Sequence, residues 1–188
     1  QNSASLQIGA FGTGTVSLNN LTVNGIYNPS VTTLTGTTHL HLTNCTFNSP
    51  FNQILPRITC GTGNQFNEAF FIDVTGDLPS SISGVFNNSF GLRNIVRSGT
   101  GTLTLESNNF QSYLALTNNN NSGSIVGKGN EVYSRVDVFN YADSPVDLAY
   151  EGGTTTFSNQ VLLVNTQNGT ISIGLGGGAA TLQNSASL

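Results

Sequence analysis

One short phrase recurs along this chain and constrains its fold more than any other feature. It is an Asn, one variable residue and a hydrophobic residue, and it follows a run of alternating polar and apolar residues. The copies lie at 64–66, 88–90, 108–110, 130–132 and 159–161, with Cys in the Asn place at 45–47 and looser copies at 19–21 and 180–182. Their first residues are 26, 19, 24, 20, 22, 29 and 21 residues apart, which gives a mean period close to 23. In β-rich sequence, this period predicts one solenoid turn per repeat.

The stretches between the copies are typical of strands. Thr, Ser or His alternates with Val, Leu or Ile at 15–18, 39–42, 102–105 and 170–173, whereas strong helix formers never cluster. We therefore predict an all-β, right-handed parallel β-helix of about eight rungs that takes in residues 1–188 as a single unit. Leucine-rich repeats have a similar period, but their L-x-x-L-x-L phrase is missing here, and a β-sandwich would not explain the repeated phrase.

Each position of the phrase has a predicted place in the solenoid. The hydrophobic residues are predicted to stack in the interior, and they are Phe47, Phe66, Phe90, Phe110, Val132 and Val161. The Asn residues are predicted to stack at one turn, because Asn tolerates left-handed backbone geometry and its amide can bond neighbouring rungs. They are Asn64, Asn88, Asn108, Asn130 and Asn159. Both stacks are expected to serve the fold rather than a reaction.

The two ends of the sequence carry the same six residues. Gln-Asn-Ser-Ala-Ser-Leu stands at 1–6 and again at 183–188, an offset of 182 residues. We interpret residues 1–182 as one tandem super-repeat and residues 183–188 as the start of the next, the alternative being an artificial duplication. The offset carries Asn19 to position 201, which is 21 residues after Ala180 and matches an ordinary rung. Neither end carries a polar capping element, so we expect adjoining repeats to continue the solenoid end to end.

Composition narrows the classes of partner. Only 7% of the residues are charged, the net charge is −4, and 37% of the residues are apolar, which is enough for a packed core. The basic residues are scattered along the chain, at Arg57, Arg93, Arg97, Lys128 and Arg135. Nucleic-acid binding depends on neutralising phosphates with Lys and Arg, so we expect no nucleic-acid partner. No apolar run approaches the ~20 residues that span a bilayer, so we expect no membrane span.

Few side chains suggest chemistry, and we predict neither a catalytic residue nor a cofactor. Asp143, Asp147 and Glu151 lie around a Ser-Pro turn and are weak candidates for a Ca²⁺ site, although acidic residues also stabilise turns on their own. His39 and His41 share one face of a strand, but no third metal ligand lies near them in the sequence. We therefore predict no metal site.

The two cysteines, Cys45 and Cys60, are predicted to be buried thiols rather than a disulfide. The predicted register places them about four residues apart along adjacent rungs. That separation exceeds the Cα distance of ~7 Å that a disulfide allows. A disulfide between them stays open as the alternative.

The Asn-, Thr- and Gly-rich rungs and their Asn-x-Phe phrases resemble the right-handed β-helices of secreted and cell-surface bacterial proteins. Autotransporter passengers, giant repeat adhesins and phage tailspike shafts share this appearance. The resemblance covers nearly the whole chain, and it implies an extracellular or cell-surface protein with a structural or adhesive role, built as a rod or fibre.

The same resemblance leaves a second function open, since many β-helices bind or degrade polysaccharides. That alternative predicts contacts with surface glycans in an acidic, aromatic groove. The groove would place Tyr113, Tyr133, Tyr141 or Tyr150 beside carboxylates.

Overall fold

The computed structural model describes residues 14–24, 39–87, 93–150, 153–173 and the backbone of 179–182. These residues form 22 strands and no helix, and every strand pairing among them is parallel. The strands are short, from two to five residues, because a turn-forming Asn, Gly or Ser directly follows more than half of them.

The strands are distributed over three sheets. Sheet A contains β1 (Thr15–Asn19), β3 (His39–Thr43), β6 (Arg57–Cys60), β9 (Ser80–Ile82), β12 (Thr102–Glu106), β15 (Ser124–Lys128), β18 (Val146–Asp147) and β21 (Ile171–Ser172). Sheet B contains β2 (Thr22–Val23), β4 (Thr46–Phe47), β7 (Gln65–Phe66), β10 (Val85–Phe86), β13 (Asn109–Phe110), β16 (Glu131–Val132), β19 (Thr154–Phe157) and β22 (Ala179–Leu182). Sheet C contains β5 (Phe51–Leu55), β8 (Phe70–Val74), β11 (Arg93–Arg97), β14 (Leu114–Asn118), β17 (Val136–Asn140) and β20 (Val161–Asn165).

The chain visits the three sheets in strict rotation from β3 to β22. The prediction of an all-β parallel solenoid is therefore confirmed. Six coils contain one strand of each sheet, and we number them from coil 1 (β3–β5) to coil 6 (β18–β20). The in-register residues of sheet B follow one another at intervals of 24, 19, 20, 24, 22, 25 and 25, and they are Val23, Phe47, Phe66, Phe86, Phe110, Val132, Phe157 and Leu182. The coils are thus tandem repeats of unequal length.

In two coils, the described strand of sheet B is formed by residues other than the predicted phrase. In coil 3 the strand of sheet B is Val85–Phe86, and Phe86 pairs with Phe66 and Phe110. The predicted Asn88 and Phe90 lie outside the described residues. Phe86 lies four positions before Phe90 in the sequence, and it supplies the inward aromatic ring of coil 3.

In coil 6, the prediction that Asn159 and Val161 stack with the other copies of the phrase is wrong. Phe157 takes the position in sheet B, where it pairs with Val132. Val161 is buried, but it begins β20 in sheet C and pairs with Val136. Asn159 is exposed in the turn between these strands, and its Oδ1 accepts a hydrogen bond from the Gln160 amide. Residues Thr154–Phe157 alternate between outward and inward side chains as a strand does. They therefore form the strand of sheet B in place of the phrase at 159–161.

The core is one continuous column of side chains inside the three sheets. Stacked phenylalanines dominate its first coils, with ring centroids 5.3 Å apart for Phe47 and Phe66, 4.9 Å for Phe66 and Phe86, and 4.7 Å for Phe86 and Phe110. These separations match the spacing of parallel strands, ~4.8 Å, because each ring belongs to the next coil. A second pair, Phe51 and Phe70, stacks at 5.3 Å in sheet C and meets the first column edge to face.

Candidate functional site

Buried asparagines form a ladder at the turn between sheets A and B. The side chain of Asn108 donates to Asn130 Oδ1 at 2.9 Å and to the Ile82 carbonyl at 2.9 Å. Asn130 in turn donates to the Leu105 carbonyl at 2.9 Å. Asn64 holds the equivalent place in coil 2, where it accepts from the Cys45 amide and donates to the Leu42 and Gly61 carbonyls. Each amide therefore bonds the backbone of the preceding coil, and Asn64 also bonds the Gly61 carbonyl of its own coil.

The residue before each ladder position makes this turn tight. Asn44, Gly63, Ser107 and Gly129 all have positive φ, between 52° and 76°. The left-handed residue is thus not the stacked Asn, as the sequence pattern suggested, but the one that precedes it. That arrangement turns the chain sharply and leaves the following Asn side chain pointing inward, where it is at most 4% exposed.

A second ladder, which the sequence reasoning missed, lies at the turn between sheets C and A. Asn118 donates to Asn140 Oδ1 at 3.2 Å, and Asn140 donates to Asn165 Oδ1 at 3.1 Å. Their remaining N–H bonds go to carbonyls of the following turn, such as Gly123 and Ser144. The signal was present, since these residues recur at intervals of 22 and 25, but no hydrophobic residue follows them at a constant offset.

A third row of amides lies on the outside, just after sheet B. Asn48 donates to Asn24 at 2.6 Å, Asn67 to Asn48 at 2.6 Å, and Asn87 to Asn67 at 2.9 Å. Each bond joins one coil to the next. Because it is exposed, each contributes less than a bond of the two buried ladders.

Coil 3 has no Asn at the ladder position of either turn. Gly84 occupies the ladder position between Asn64 and Asn108, and Arg97 occupies the position before Asn118. The Oδ1 atoms of Asn108 and Asn118 have no hydrogen-bond partner among the described residues. Each ladder therefore ends at coil 3 with a free acceptor, because that coil offers no amide to donate to it.

Two arginines of coil 3 point into the solenoid and are fully buried. Arg97 donates to the carbonyls of Val74 at 2.7 Å, Gly76 at 2.6 Å and Gly101 at 2.5 Å, so its charge is held by backbone oxygens of two coils. A Cβ on Gly76 would overlap the backbone of Pro56, and a Cβ on Gly101 that of Leu78, so the close packing of the coils requires Gly at both positions. Burial lowers the pKa of Arg97.

Arg93 lies at the other end of the same strand, in register with Phe70 and Leu114. Its guanidinium carbon is 6.0 Å from the centre of the Phe86 ring, and its three nitrogens have no hydrogen-bond partner among the described residues. Burial lowers the pKa of Arg93 to about 10, and the charge of Glu68 opposes that shift. The sequence analysis noted only that the basic residues are scattered along the chain, and it did not predict that two of them are buried.

The weak calcium candidates do not form a described site. Asp143 is exposed, and its Oδ1 accepts from the Asn168 amide at 3.1 Å. Asp147 is only 3% exposed on the outer side of sheet A, and its Oδ1 accepts from the Ala149 amide. Glu151 lies outside the described residues. Within the described ranges, no group of three His, Cys, Asp or Glu side chains converges on one point.

The histidine pair lies on the outer face of sheet A, where the two rings are parallel with centroids 6.1 Å apart. His39 Nε2 is 2.8 Å from the Thr59 hydroxyl. Partial burial lowers the pKa of His39, and the charges of Arg57 and His41 lower it further. The pair is therefore held by a hydroxyl and a stacking contact.

Cys45 and Cys60 are both buried free thiols. Cys45 Sγ lies 3.4 Å from the carbonyls of Leu18 and Thr43. Burial raises the pKa of Cys60 to about 12, so this thiol stays protonated at neutral pH.

Two tyrosines lie beside carboxylates, as the carbohydrate alternative expects. Tyr113 donates to Asp137 Oδ2 at 2.7 Å, and Arg135 binds both oxygens of the same carboxylate at 2.6 and 2.9 Å. Burial raises the pKa of Tyr113, and Asp137 raises it further. Tyr133 donates to Glu131 at 2.9 Å on an exposed surface. Tyr141 is exposed and stacks on Phe139, whereas Tyr150 is half-buried.

The geometry does not pair two carboxylates for glycoside hydrolysis on sheet C. Asp73 and Asp137 both face outward there, but they lie three coils apart and in different rows. At ~4.8 Å per coil, their separation is at least ~14 Å, beyond the ~9.5 Å limit for paired catalytic carboxylates. Burial raises the pKa of Asp73, and a hydrogen bond from Ser98 opposes that shift.

Comparison with known protein families, curated proteins and solved structures found no match for this chain. In the part of the chain that the structure describes, no helix has the length and apolar character needed to cross a bilayer.

Proposed function

We propose that this chain is a unit of an extracellular or cell-surface rod with a structural or adhesive role, built by end-to-end continuation of the solenoid. The observation that carries the proposal is the unbroken rotation through sheets A, B and C from β3 to β22. In such a fold each coil contacts only its neighbours, so the same bonding rules extend to any number of coils. The interior is filled by side chains, and the geometry supports a mechanical element better than a reaction.

The register supports continuation across the repeated hexapeptide. An offset of 182 residues carries Val23 to position 205, which is 23 residues after Leu182. That interval lies within the 19 to 25 residues that separate successive positions of sheet B. A following unit would therefore meet sheet B in register with no change in coil length.

The ladders supply the mechanical strength that a rod needs. Backbone hydrogen bonds join each coil to the next, and the side chains of Asn108, Asn118 and Asn140 add further bonds in the same direction. These bonds run along the rod axis and are shielded from water, so stretching must break many of them at once.

The mass and shape of the protein isolated from its source test the proposal. We expect masses spaced by one 182-residue unit and thin rods in negative-stain images that lengthen by ~40 Å per eight coils. A compact particle with the mass of one chain, 19.7 kDa, would overturn the proposal.

A carbohydrate-binding β-helix is the second candidate, and the contact between Tyr113 and Asp137 is the observation that favours it. Aromatic rings beside fixed polar groups are a common way to orient a small ligand. A glycan array probed with the full chain tests this function. Binding that is lost in Tyr113→Ala and retained in Tyr133→Ala would support it, and silence across the array would contradict it.

A further inference from the structure

The two buried arginines of coil 3 differ in how their charges are compensated. Both side chains are 0% exposed. Arg97 donates to three backbone carbonyls, whereas Nε, Nη1 and Nη2 of Arg93 meet no hydrogen-bond acceptor within the described ranges. The centre of the Phe86 ring lies 6.0 Å from the guanidinium carbon of Arg93. A ring face attracts a cation, but it does not replace the hydrogen bonds that the guanidinium N–H groups require.

The Arg93 guanidinium keeps its charge despite its burial. Burial lowers its pKa to about 10, so the group is still protonated at neutral pH. A buried charge that has neither a counter-charge nor hydrogen bonds destabilises a fold strongly. Buried polar groups in folded proteins are accordingly almost always bonded to other protein groups, to water or to an ion. We therefore expect a negative group beside Arg93.

Arg93 lies at the corner where sheet B meets sheet C, and the next coil places a second buried donor at that corner. The Arg93 amide donates to the Tyr113 carbonyl at 3.0 Å, which aligns coil 3 with coil 4. Ser112 precedes Tyr113 and is 2% exposed, and its Oγ has no hydrogen-bond partner in the part of the chain that the structure describes. Successive coils are ~4.8 Å apart, so one small anion can reach both side chains.

We propose that Arg93 and Ser112 form a buried site, at this corner, for one small monovalent oxyanion such as a carboxylate or nitrate. The planar guanidinium offers parallel N–H donors that match two coplanar oxygens. The Ser112 hydroxyl donates to the same anion. Such a ligand neutralises the charge of Arg93 and satisfies both side chains at once.

Charge decides which ligand fits this corner. Water can accept from the N–H groups, but it leaves the positive charge uncompensated. A divalent anion such as sulfate carries more charge than one guanidinium balances, and it is costlier to remove from water. A monovalent anion beside Arg93 leaves the pair neutral.

Glu68 is a carboxylate of this chain that could itself serve as the counter-charge. It lies two residues before Phe70, which is in register with Arg93, and its charge opposes the downward shift of the Arg93 pKa. Glu68 is exposed, whereas the Arg93 nitrogens are buried, so the two groups are not enclosed together. Its negative charge should therefore weaken anion binding at the corner rather than replace the anion.

Urea denaturation of the 188-residue chain at rising concentrations of sodium formate tests the site. We expect the unfolding constant to fall about tenfold for each tenfold rise in formate above the dissociation constant, because formate binds only the folded chain. Arg93→Leu should fold, since Leu114 occupies the same column, and should lose this dependence. Arg57→Leu removes an arginine from the outer side of sheet A and should retain it, which separates binding at the site from general salt effects.

Two further variants change the affinity without removing the guanidinium. Ser112→Ala should weaken formate binding about fivefold, because one hydrogen bond to the anion is lost. Glu68→Gln should tighten it about twofold or more, because a repelling charge is removed.

The site is overturned if formate has no effect on the parent, or if the effect survives in Arg93→Leu. A parent that ignores formate but is destabilised by Glu68→Gln would identify Glu68 as the counter-charge, which also overturns the proposal. NMR of the parent decides the question should Arg93→Leu fail to fold. The Nε–H signal of Arg93 should shift with formate until it saturates, whereas that of Arg97, which is bonded to the Gly101 carbonyl, should stay in place. An Arg93 signal that formate does not move would contradict the site.

Discussion

Coils 1 and 2 and coils 4 to 6 fill the same three-sided interior with different chemistry. In the first region, Phe47, Phe51, Phe66 and Phe70 stack where sheet B meets sheet C, and the turn from sheet C to sheet A is apolar, with Leu55 and Val74. In the second region, the residues in register with Phe51 and Phe70 are Leu114, Val136 and Val161, and those in register with Leu55 and Val74 are Asn118, Asn140 and Asn165.

Coil 3 joins the two regions and belongs to neither. Arg93 ends the pair of stacked rings in sheet C, Arg97 stands where the second Asn ladder begins, and Gly84 interrupts the first ladder. The interior of this solenoid thus contains columns of aromatic, aliphatic and amide side chains. Each kind is compatible with the fold, because the backbone hydrogen bonds between coils do not depend on which side chains fill the interior.

The largest expected effect comes from breaking the aromatic region. Phe66→Ala should lower the free energy of unfolding by about 3–5 kcal/mol, since it removes a buried ring that contacts four others. Phe157→Ala removes a buried ring from the same row of sheet B in the other region, where no described aromatic ring contacts it. We expect its cost to be smaller by about 1 kcal/mol or more, because no ring pairs are lost. Urea denaturation measures both, and equal losses would contradict the distinction between the regions.

The second prediction concerns the junction. Arg97→Ala should cost about 3 kcal/mol, because three carbonyls lose a charged donor. Arg97→Asn should cost less, because an Asn there can donate to the free Oδ1 of Asn118 and extend the second ladder by one coil. Thermal denaturation of the two variants checks the order. A lower melting temperature for Arg97→Asn than for Arg97→Ala would show that ladder geometry does not continue into coil 3.

The third prediction concerns a small cavity in the interior of coils 4 to 6. Val132 follows Phe110 in sheet B and borders an internal cavity of about 20 Å³ that Phe110, Leu114 and Phe157 also line. Val132→Ile should raise the free energy of unfolding by up to about 1 kcal/mol, because the added methyl group fills empty space. Val146→Ile adds the same group at a buried position that does not line the cavity and should destabilise the fold. Stabilisation by both variants would mean that the core is loosely packed throughout.

The smallest expected effect lies outside the interior, on coil 1. The pKa of His39 is lowered below its ordinary value, so the fold favours the neutral ring. Its contribution to stability is therefore present above a pH of about 6.5 and is lost as the pH falls through the lowered pKa. Unfolding measured at pH 7 and pH 5 should show a smaller loss of stability in His39→Gln than in the parent, by less than about 1 kcal/mol. An unchanged difference between the two pH values would exclude His39 as a source of pH dependence in the first region.

Much of the solenoid follows from periodicity that can be read directly. The alternation of apolar and polar residues at 39–42 and 102–105 predicts strands, and both are strands of sheet A. The Asn-x-Phe phrases at 64–66 and 108–110 predict an inward ring and a stacked amide, and the structure places Asn64, Asn108, Phe66 and Phe110 in those positions. These features are local, because one turn and one strand decide them.

The phrase fails where two local solutions compete. Thr154–Phe157 fits the strand pattern as well as the phrase at 159–161 does, and only pairing with the coils on both sides selects between them. The second Asn ladder was missed for a related reason. Asn118, Asn140 and Asn165 are brought together by register across coils, and nothing within one coil distinguishes them from other asparagines.

The amino-acid order alone is sufficient to specify an all-β chain that coils with a period near 23, since strand alternation and turn residues are properties of short segments. Tertiary structure alone decides that Gly84, Arg93 and Arg97 occupy positions in the interior columns of coil 3. Coils of unequal length shift the pattern by several residues, and a side chain can be assigned to a column only when both neighbouring coils are in place. Burial and the ladder contacts are consequences of that stacking.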